Sequence, residues 1–270
     1  MILYDNENTK KGGNKMDIRL CDNCHFDKYL EIVKRQKVGI EFQTFADPFY
    51  KNVKKEVARE KELSKGIKHR SLHAPFPDLN LGTKMPGLRK ETMKYFNHGY
   101  KIAKELGCDS VIVHNGYIPR TYSVESWVRK ACEFWKEFFA DKDDSITMMV
   151  ENQFEDNSRV MLEEIDAVHD KRLKICLDVG HAHCNADMPV YDWIKTLGNR
   201  IGYMHLHNNH GKYNKKVENW DEHNGFDNGT IDFKKIMKLV KQHCPKAILA
   251  VETRFEGAES AIEFLKKNTK

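Results

Sequence analysis

The sequence predicts an α/β fold built as a single domain, a closed (β/α)8 TIM barrel. Short apolar runs typical of strands alternate eight times with longer amphipathic runs. Such a barrel needs about 250 residues, and the chain has 270. An open doubly wound sheet is the alternative. No G-x-G-x-x-G follows the first strand, so a dinucleotide-binding fold has no support.

Eight segments are predicted to be strands, and the later ones are nearly continuous apolar runs such as SVIVH, KICLD and AILAVE. Runs of this kind are typical of strands buried on both faces in a parallel sheet. The predicted strands are Ile18–Cys21, Val38–Gln43, His69–His73, Ser110–His114, Ile146–Glu151, Leu173–Asp178, Ile201–Leu206 and Ala247–Glu252.

The amphipathic segments are predicted to be helices that pack around the barrel. They are Phe26–Arg35, Tyr50–Leu63, Arg89–Leu106, Val124–Ala140, Ser158–His169, Val190–Leu197, Ile231–His243 and Ala258–Lys267. The fourth is the clearest, because its apolar residues recur at helical spacing and form one stripe. That stripe consists of Trp127, Ala131, Phe134, Trp135, Phe138 and Phe139. Gly107 follows the third helix, where a glycine cap is expected.

Composition places few limits on partners. A net charge of +5 is compatible with a sugar phosphate or a nucleic acid and does not choose between them. No apolar stretch approaches the roughly 18–20 residues of a membrane span, so no membrane partner is expected. Residues 1–15 are polar and lack the apolar core of a secretory signal. We expect them to form a flexible N-terminal extension, with the barrel over residues 16–270.

The seven cysteines indicate a reduced, cytoplasmic protein, because their number is odd and no secretory signal precedes them. Cys21 and Cys24 form a CxxC motif. With no second CxxC, a zinc ribbon is not expected, and a redox role has little support.

Six of the eight predicted strands carry a histidine, aspartate or glutamate able to bind a metal at or next to their last position. These residues are His73, His114, Glu151, Asp178, His205 and Glu252. A polar strand end alone is unremarkable, but in this fold the C-terminal strand ends all meet at one mouth. A carboxylate carried into a desolvated mouth is costly unless a cation or a partner compensates it. The pattern therefore predicts a divalent metal site.

Further candidate ligands follow the later strands. His181 lies three residues after Asp178, and His207 shares a strand face with His205. The segment Asp221-Glu222-His223 lies in the longest loop, and loops of that length are usually functional.

Seven stretches together resemble the xylose isomerase-like TIM barrel superfamily, from about Met16 to the C-terminus. They are SLHAPFPDLN, SVIVHNGY, MMVENQ, CLDVGHAH, YMHLHNN, DEHNG and LAVE. That superfamily includes sugar phosphate isomerases and epimerases and the endonuclease IV family. The resemblance implies a metal core of Glu151, Asp178, His205 and Glu252. The endonuclease IV branch and some other members add ligands for further metals, and the resemblance places these at His73, His114, His181, Asp221 and His223. Barrels of this group often self-associate, so a homo-oligomer is one expectation.

The chain departs from both branches. Sugar enzymes of the group often read His-x-His-Asp-Asn after the seventh strand, where this chain has His205-Leu206-His207-Asn208-Asn209. The opening RLCDNCHF is unlike a typical endonuclease IV, and HAPFPDLN is closer to the sugar-enzyme form. The insertion HGKYNKKVENW is unusual for either branch.

The favoured hypothesis is a metal-dependent isomerase or epimerase of a sugar or sugar phosphate. Glu151 and Glu252 would transfer protons next to a carbonyl, with Mn²⁺, Mg²⁺ or Co²⁺ as cofactor. We expect substrate contacts from His207, Arg254 and Asn115. Lys212, Lys215, Lys216 and Arg254 could meet a substrate phosphate or could be solvated surface charge.

Two other hypotheses remain. The first is a zinc-dependent AP endonuclease of the endonuclease IV type, which would have nucleic acid as its partner. It lacks a concentrated basic stripe with interleaved aromatic residues. The second is a barrel that binds a metal or sugar without turnover. The pair Glu151 and Glu252 argues against it, because binding alone does not require two opposed carboxylates.

Overall fold

All eight predicted strands form, and they close into one parallel barrel in the order β1-β2-β3-β4-β5-β6-β7-β8. The computed structural model describes residues 16–48, 50–212 and 221–269. The strands are β1 Ile18–Cys21, β2 Gly39–Phe42, β3 Arg70–His73, β4 Ser110–His114, β5 Thr147–Glu151, β6 Leu173–Asp178, β7 Ile201–Leu206 and β8 Ile248–Val251. The predicted closed barrel is therefore confirmed, and the open-sheet alternative is wrong.

The helices alternate with the strands, as the amphipathic segments predict. In the described residues they are α1 Phe26–Gln36, α2 Val53–Leu63, α3 Pro86–Leu106, α4 Val124–Phe138, α5 Arg159–Val168, α6 Val179–Asn185, α7 Val190–Leu197, α8 Phe233–His243 and α9 Phe255–Asn268. Helix α6 is the one that the sequence did not predict. Several starts also differ: α3 begins three residues before the predicted Arg89, with Pro86 in its first turn.

The strand register brings the predicted ligands to one rim. His114 pairs with Glu151 across β4 and β5, and Asp178 pairs with His205 across β6 and β7. Glu252 follows β8 directly and donates its backbone N–H to the Leu206 carbonyl at 3.1 Å. Residues far apart in sequence thus lie at the same level because the barrel is closed.

The helix layer and the barrel interior are both filled. The aromatic stripe of α4 is buried, as predicted, and Trp135 donates its indole N–H to the carboxylate of Glu164 on α5 at 2.7 Å. Gly107 caps α3 at φ 71°, as predicted. At the N-terminal end of the barrel, buried Arg19 forms ion pairs with Asp17 and Asp109. The interior beneath the mouth is filled by the buried side chains of Cys21, Ile112, Met149, Cys176, Tyr203 and Ala250.

Two predictions fall wholly or partly outside the described residues. The expected flexible extension over residues 1–15 lies there, as do Lys215 and Lys216 of the long loop. Among the described helices, none has the length and apolar character required to cross a bilayer.

Candidate metal centre

The four residues of the predicted metal core meet at the C-terminal mouth of the barrel. Glu151, Asp178, His205 and Glu252 each offer one ligand atom, and these four atoms lie within 4.8 Å of one another. Nδ1 of His205 is 3.1 Å from Glu151 Oε1, 3.5 Å from Glu252 Oε2 and 3.8 Å from Asp178 Oδ2. All four side chains are buried. Three buried carboxylates around one imidazole carry a large desolvation cost unless a cation compensates them.

A second group of donors surrounds the other oxygen of Glu151. Nε2 of His73 lies 3.1 Å from Glu151 Oε2, and Nε2 of His114 lies 3.2 Å from the same atom. One ligand atom of each of these three residues lies within 4.8 Å of the other two. Phe76 stacks on the His114 ring, with ring centroids 4.4 Å apart, and shields this group on one side. Glu151 is therefore shared between two candidate metal positions.

A third group lies towards the long loop. Asp221 Oδ2 is 3.3 Å from Nε2 of His181 and 3.2 Å from Nε2 of His223. Asn208 and Asn224 form an antiparallel bridge with two 2.9 Å backbone hydrogen bonds, which fixes the end of the loop beside β7. That bridge holds the Asp221–His223 segment over the mouth.

The short helix α6 places His181 because Asp178 caps its N-terminus. The Asp178 side chain accepts a 2.6 Å hydrogen bond from the backbone N–H of His181. Next to the cap, Gly180 allows close approach of His207, since a Cβ at Gly180 would stand 1.9 Å from His207 Cε1. Nε2 of His207 lies 3.2 Å from both Asp178 carboxylate oxygens. Asp178 thus has three roles: it belongs to the metal core, it caps α6, and it contacts His207.

The electrostatics of the mouth are those of paired acids and bases. Burial disfavours ionisation of Asp178, but facing His181 and His207 outweigh it and lower its pKa to about 2. Burial likewise opposes a charge on His223, yet Asp221 and Glu252 raise its pKa to about 9. Burial is also outweighed at Glu151, where His205 and His114 hold the pKa well below its usual range. In the metal-free protein, the proton on His223 is therefore retained at neutral pH and offsets part of the neighbouring carboxylate charge.

This donor set fits a divalent metal. Carboxylate oxygens with imidazole nitrogens suit Mn²⁺, Mg²⁺, Co²⁺ and Zn²⁺. Nδ1 of His207 is buried without a hydrogen-bond partner among the described residues. His207, His223 and Glu252 also offer ligand atoms within 4.8 Å of one another. A buried ring nitrogen without a partner is costly, and coordination would remove that cost.

A cavity of about 330 Å³ opens above these groups. The described residues that line it are Asn23, Cys24, Gln43, Ala46, His73, Phe76, His114, Glu151, Gln153, His181, Asp221, His223 and Glu252. None of these described lining residues is a lysine or an arginine. A larger cavity of about 740 Å³ lies at the opposite end of the barrel, beside Met16 and Gly39, away from all the candidate ligands.

The residues predicted to contact substrate lie at different distances from this cavity. His207 is beneath it, against Asp178, and its ring stacks on His223 with centroids 4.0 Å apart. Asn115 is buried behind β4, where its amide donates to Glu155. Arg254 lines a neighbouring cavity of about 410 Å³ that also borders His223. The substrate-binding roles of these three residues stay predictions.

Sequence reasoning missed Glu41 and Gln43 on the second strand. Both side chains point into the mouth, and Glu41 is fully buried against His205. A charged residue within the otherwise apolar stretch VGIEF was the available signal. Glu41 comes two residues before the predicted end of that strand and faces the same side as Gln43.

The comparisons with known proteins identify the family of this barrel. A family model described as a xylose isomerase-like TIM barrel matches residues 31–268. The chain belongs to this family. The xylose isomerase-like identity that the seven sequence stretches indicated is thereby confirmed.

Two curated relatives of this xylose isomerase-like barrel illustrate the range of its neighbours. An uncharacterised protein of Methanocaldococcus jannaschii is 27% identical over 214 residues, which span 73% of this chain and 68% of that protein. A probable endonuclease 4 of Mycobacterium leprae is 23% identical over 210 residues, which span 73% of this chain and 78% of that protein.

Solved structures extend the comparison to sugar enzymes. A D-tagatose 3-epimerase-like protein superimposes with a TM-score of 0.72 at 22% identity, covering 94% of this chain and 97% of its own. The IolI protein, solved with a bound zinc atom, superimposes with a TM-score of 0.71 at 15% identity, covering 94% and 96%. At these identities the likeness concerns the fold. The xylose isomerase-like barrel thus has epimerase neighbours in structure and endonuclease 4 relatives in sequence.

Proposed function

We propose that this chain is a divalent-metal-dependent sugar isomerase or epimerase. The observation that carries the proposal is the meeting of Glu151 and Glu252 with Asp178 and His205 in one buried donor set beneath a small cavity. Ligand pockets span about 300–1,000 Å³, so a cavity of about 330 Å³ is suited to a molecule of monosaccharide size.

The chemistry requires two acid/base groups at one reacting carbon. Glu151 and Glu252 both line the cavity, from β5 and from the residue after β8. One glutamate, as the carboxylate, would remove the proton next to the carbonyl, and the other, as the carboxylic acid, would donate its own proton to the opposite face or to the neighbouring carbon. A divalent cation, when bound, would polarise the substrate carbonyl.

The two glutamates are held differently. Gln43 donates its side-chain amide to Glu252 Oε1 at 2.5 Å, which leaves Oε2 facing His205 at 3.5 Å. Glu151 instead has histidine nitrogens near both oxygens. These contacts orient each carboxylate before substrate arrives, which lowers the cost of reaching the reactive geometry.

The lining favours an uncharged sugar over a sugar phosphate. A phosphate would be expected to meet cationic side chains, and the described lining residues include neither lysine nor arginine. Two of the predicted phosphate contacts are among the described residues: Lys212 forms an ion pair with Asp187, and Arg254 lines the neighbouring cavity and not this one. Unphosphorylated ketoses and aldoses are therefore the substrates to test first.

The test is solvent-deuterium exchange into a panel of unphosphorylated ketoses, aldoses and inositols, with Mn²⁺, Co²⁺ or Mg²⁺ supplied. Glu151→Gln and Glu252→Gln should each abolish exchange at the substrate carbon, because each removes a proton carrier. Glu164→Gln is the matched control, since Glu164 is equally buried but lies on α5 away from the mouth. Exchange that survives both mouth substitutions would show that the proton-transfer roles are wrong.

One observation favours a second candidate, a zinc-dependent phosphodiesterase of the endonuclease IV type. The groups His73–His114–Glu151 and His181–Asp221–His223 provide donors for two metals beyond the core. Nitrogen-rich donors suit zinc, and clustered zinc ions can activate water beside a phosphate. Incision of a duplex containing one abasic site by the zinc-loaded protein, with about three zinc ions per chain, would establish this function instead.

A further inference from the structure

A carboxylate that is not in the predicted ligand set lies directly behind His205. Nε2 of His205 is 3.0 Å from Glu41 Oε2 and 3.1 Å from Glu41 Oε1. Both side chains are completely buried, so no water competes for this contact. The opposite ring nitrogen, Nδ1, faces Glu151, Asp178 and Glu252.

The contact determines which nitrogen of His205 can bind a metal. A neutral imidazole has one N–H donor and one nitrogen with a free lone pair. A carboxylate accepts hydrogen bonds, so the proton belongs on Nε2 and the lone pair on Nδ1. Nδ1 is the atom that faces the three carboxylates of the metal core.

Glu41 is itself held by two side-chain donors, one on β7 and one that directly follows β2. The Tyr203 hydroxyl donates to Glu41 Oε2 at 2.7 Å, and Tyr203 and Ser71 hydroxyl oxygens lie 2.7 Å apart. The Gln43 amide donates to Glu41 Oε1 at 3.0 Å and to Glu252 Oε1 at 2.5 Å. The Ser71 O–H can donate to Tyr203, so the hydrogen bonds run in one direction, towards Glu41.

From this network we infer that Glu41 is a positioning residue of the metal centre: it fixes the His205 ring with Nδ1 towards the metal. Gln43, which donates to both carboxylates, couples Glu41 to Glu252. The inference rests on the metal site of the proposed function. Glu41 acts through His205 and Glu252 and touches no substrate. Carboxylate partners of metal-binding histidines commonly set the ring orientation and raise ligand basicity.

A competing arrangement uses the same residues. Cys21, Glu41, His205 and Glu252 also offer atoms within 4.8 Å of one another, so Glu41 could bind a metal directly together with a thiolate. The two donors already held by Glu41 favour the positioning role. The cobalt spectrum separates the two arrangements, because a thiolate ligand produces a charge-transfer band in the near ultraviolet.

The experiment is titration of metal-free protein with Co²⁺, following visible absorption, for wild type, Glu41→Gln and Glu164→Gln. In Glu41→Gln an amide replaces the acceptor, and its NH₂ group would oppose the donors from Tyr203 and Gln43. We expect cobalt binding about 10–100-fold weaker, with an altered visible spectrum. Glu164→Gln, the substitution of a buried glutamate outside the mouth, should match wild type in both readouts.

A milder variant protects the test against misfolding. Tyr203→Phe keeps the ring and removes only the hydroxyl that donates to Glu41, so we expect about 3–10-fold weaker cobalt binding. Wild-type affinity in both Glu41→Gln and Tyr203→Phe would overturn the inference and leave the proposed function standing. A near-ultraviolet thiolate band that disappears in Cys21→Ser would also overturn it. Weaker cobalt binding in both variants, in a protein inactive on every sugar tested, would support the positioning role and count against the sugar chemistry.

Discussion

Metal binding to this barrel should release protons, and the loop histidine His223 provides the clearest case. Its pKa is raised to about 9, because Asp221 and Glu252 outweigh the effect of burial. Only the neutral ring can bind a metal, so the proton must leave as the metal arrives. At pH 7, removing a proton from a group with a pKa of about 9 costs roughly 2.7 kcal/mol, or about a hundredfold in affinity.

The sign and range of the pH dependence follow from that value. For each such proton displaced, the zinc dissociation constant should fall about tenfold per pH unit between pH 7 and pH 9, and level off above pH 9. The stability of the metal-free protein should change in the opposite direction. The proton on His223 stabilises the fold fully below its ordinary pKa of about 6.5, and this contribution is lost as the pH rises through about 9.

Calorimetric titration of the metal-free protein with zinc tests both statements. Two buffers with different ionisation enthalpies at each pH give the number of protons released per zinc. His98→Gln is the control, because His98 lies exposed on α3 away from the mouth, and it should release as many protons as wild type. Zinc affinity that stays constant from pH 7 to pH 9, without proton release, would refute the reasoning.

Two predictions concern stability. Burial raises the pKa of Glu164 to about 8, so the wild-type protein loses stability as the pH rises from about 4.5 to 8. The free energy of unfolding of Glu164→Gln, taken relative to that of wild type, should therefore be roughly 4 kcal/mol higher at pH 9 than at pH 5, as measured by denaturant unfolding. Gly180→Ala should lower the free energy of unfolding by about 1–3 kcal/mol in the same assay, because the added Cβ would overlap the His207 ring. The same overlap should weaken metal binding. Gly87→Ala on α3 is the control, since a Cβ there meets nothing within 4 Å.

Opposite results would be informative in each case. If the pH dependence of unfolding for Glu164→Gln matched that of wild type, burial would not control ionisation at this position. If Gly180→Ala bound metal as tightly as Gly87→Ala, His207 would have room to move, and its contact with Asp178 would not be required at the metal centre.

Strand ends could be predicted from the sequence because two local signals coincide there. A buried parallel strand is a continuous apolar run, and a ligand residue at its end interrupts that run, as His114, Glu151 and Asp178 each do. Closure of the barrel then brings these ends together without further information. The convergence of the ligands was therefore predictable although the contacts themselves are long-range.

Features that depend on side-chain direction or on very short elements could not be predicted in this way. Helix α6 has seven residues, too few for a helical periodicity, and its start depends on a cap from Asp178 that also belongs to the metal core. The contact between Glu41 and His205 joins residues 164 positions apart in sequence. Nothing local to VGIEF specifies that partner, because the contact exists only once the barrel has closed.

The two candidate reactions differ physically at one place, the gap between Glu151 Oε2 and the rings of His73 and His114. The distances across it are 3.1 and 3.2 Å, which suit a hydrogen bond. Two ligands of a tetrahedral zinc, each about 2.0–2.1 Å from the metal, lie about 3.3 Å apart, so the same gap also suits zinc. A zinc ion there would occupy an oxygen of a glutamate that the isomerase chemistry needs for proton transfer.

Zinc beyond one ion per chain should therefore inhibit proton exchange into the sugar. We expect exchange to fall as the ratio of zinc to chain rises from one to three, because Glu151 becomes a ligand through both of its oxygens. His114→Asn removes one donor from the second position, so this variant should tolerate more zinc before exchange falls. The measurement is the exchange rate at fixed substrate across the zinc series for both proteins. Faster exchange as the second zinc binds would place that metal in the reaction itself, and Glu151 would then act as a bridging ligand and not as a proton carrier.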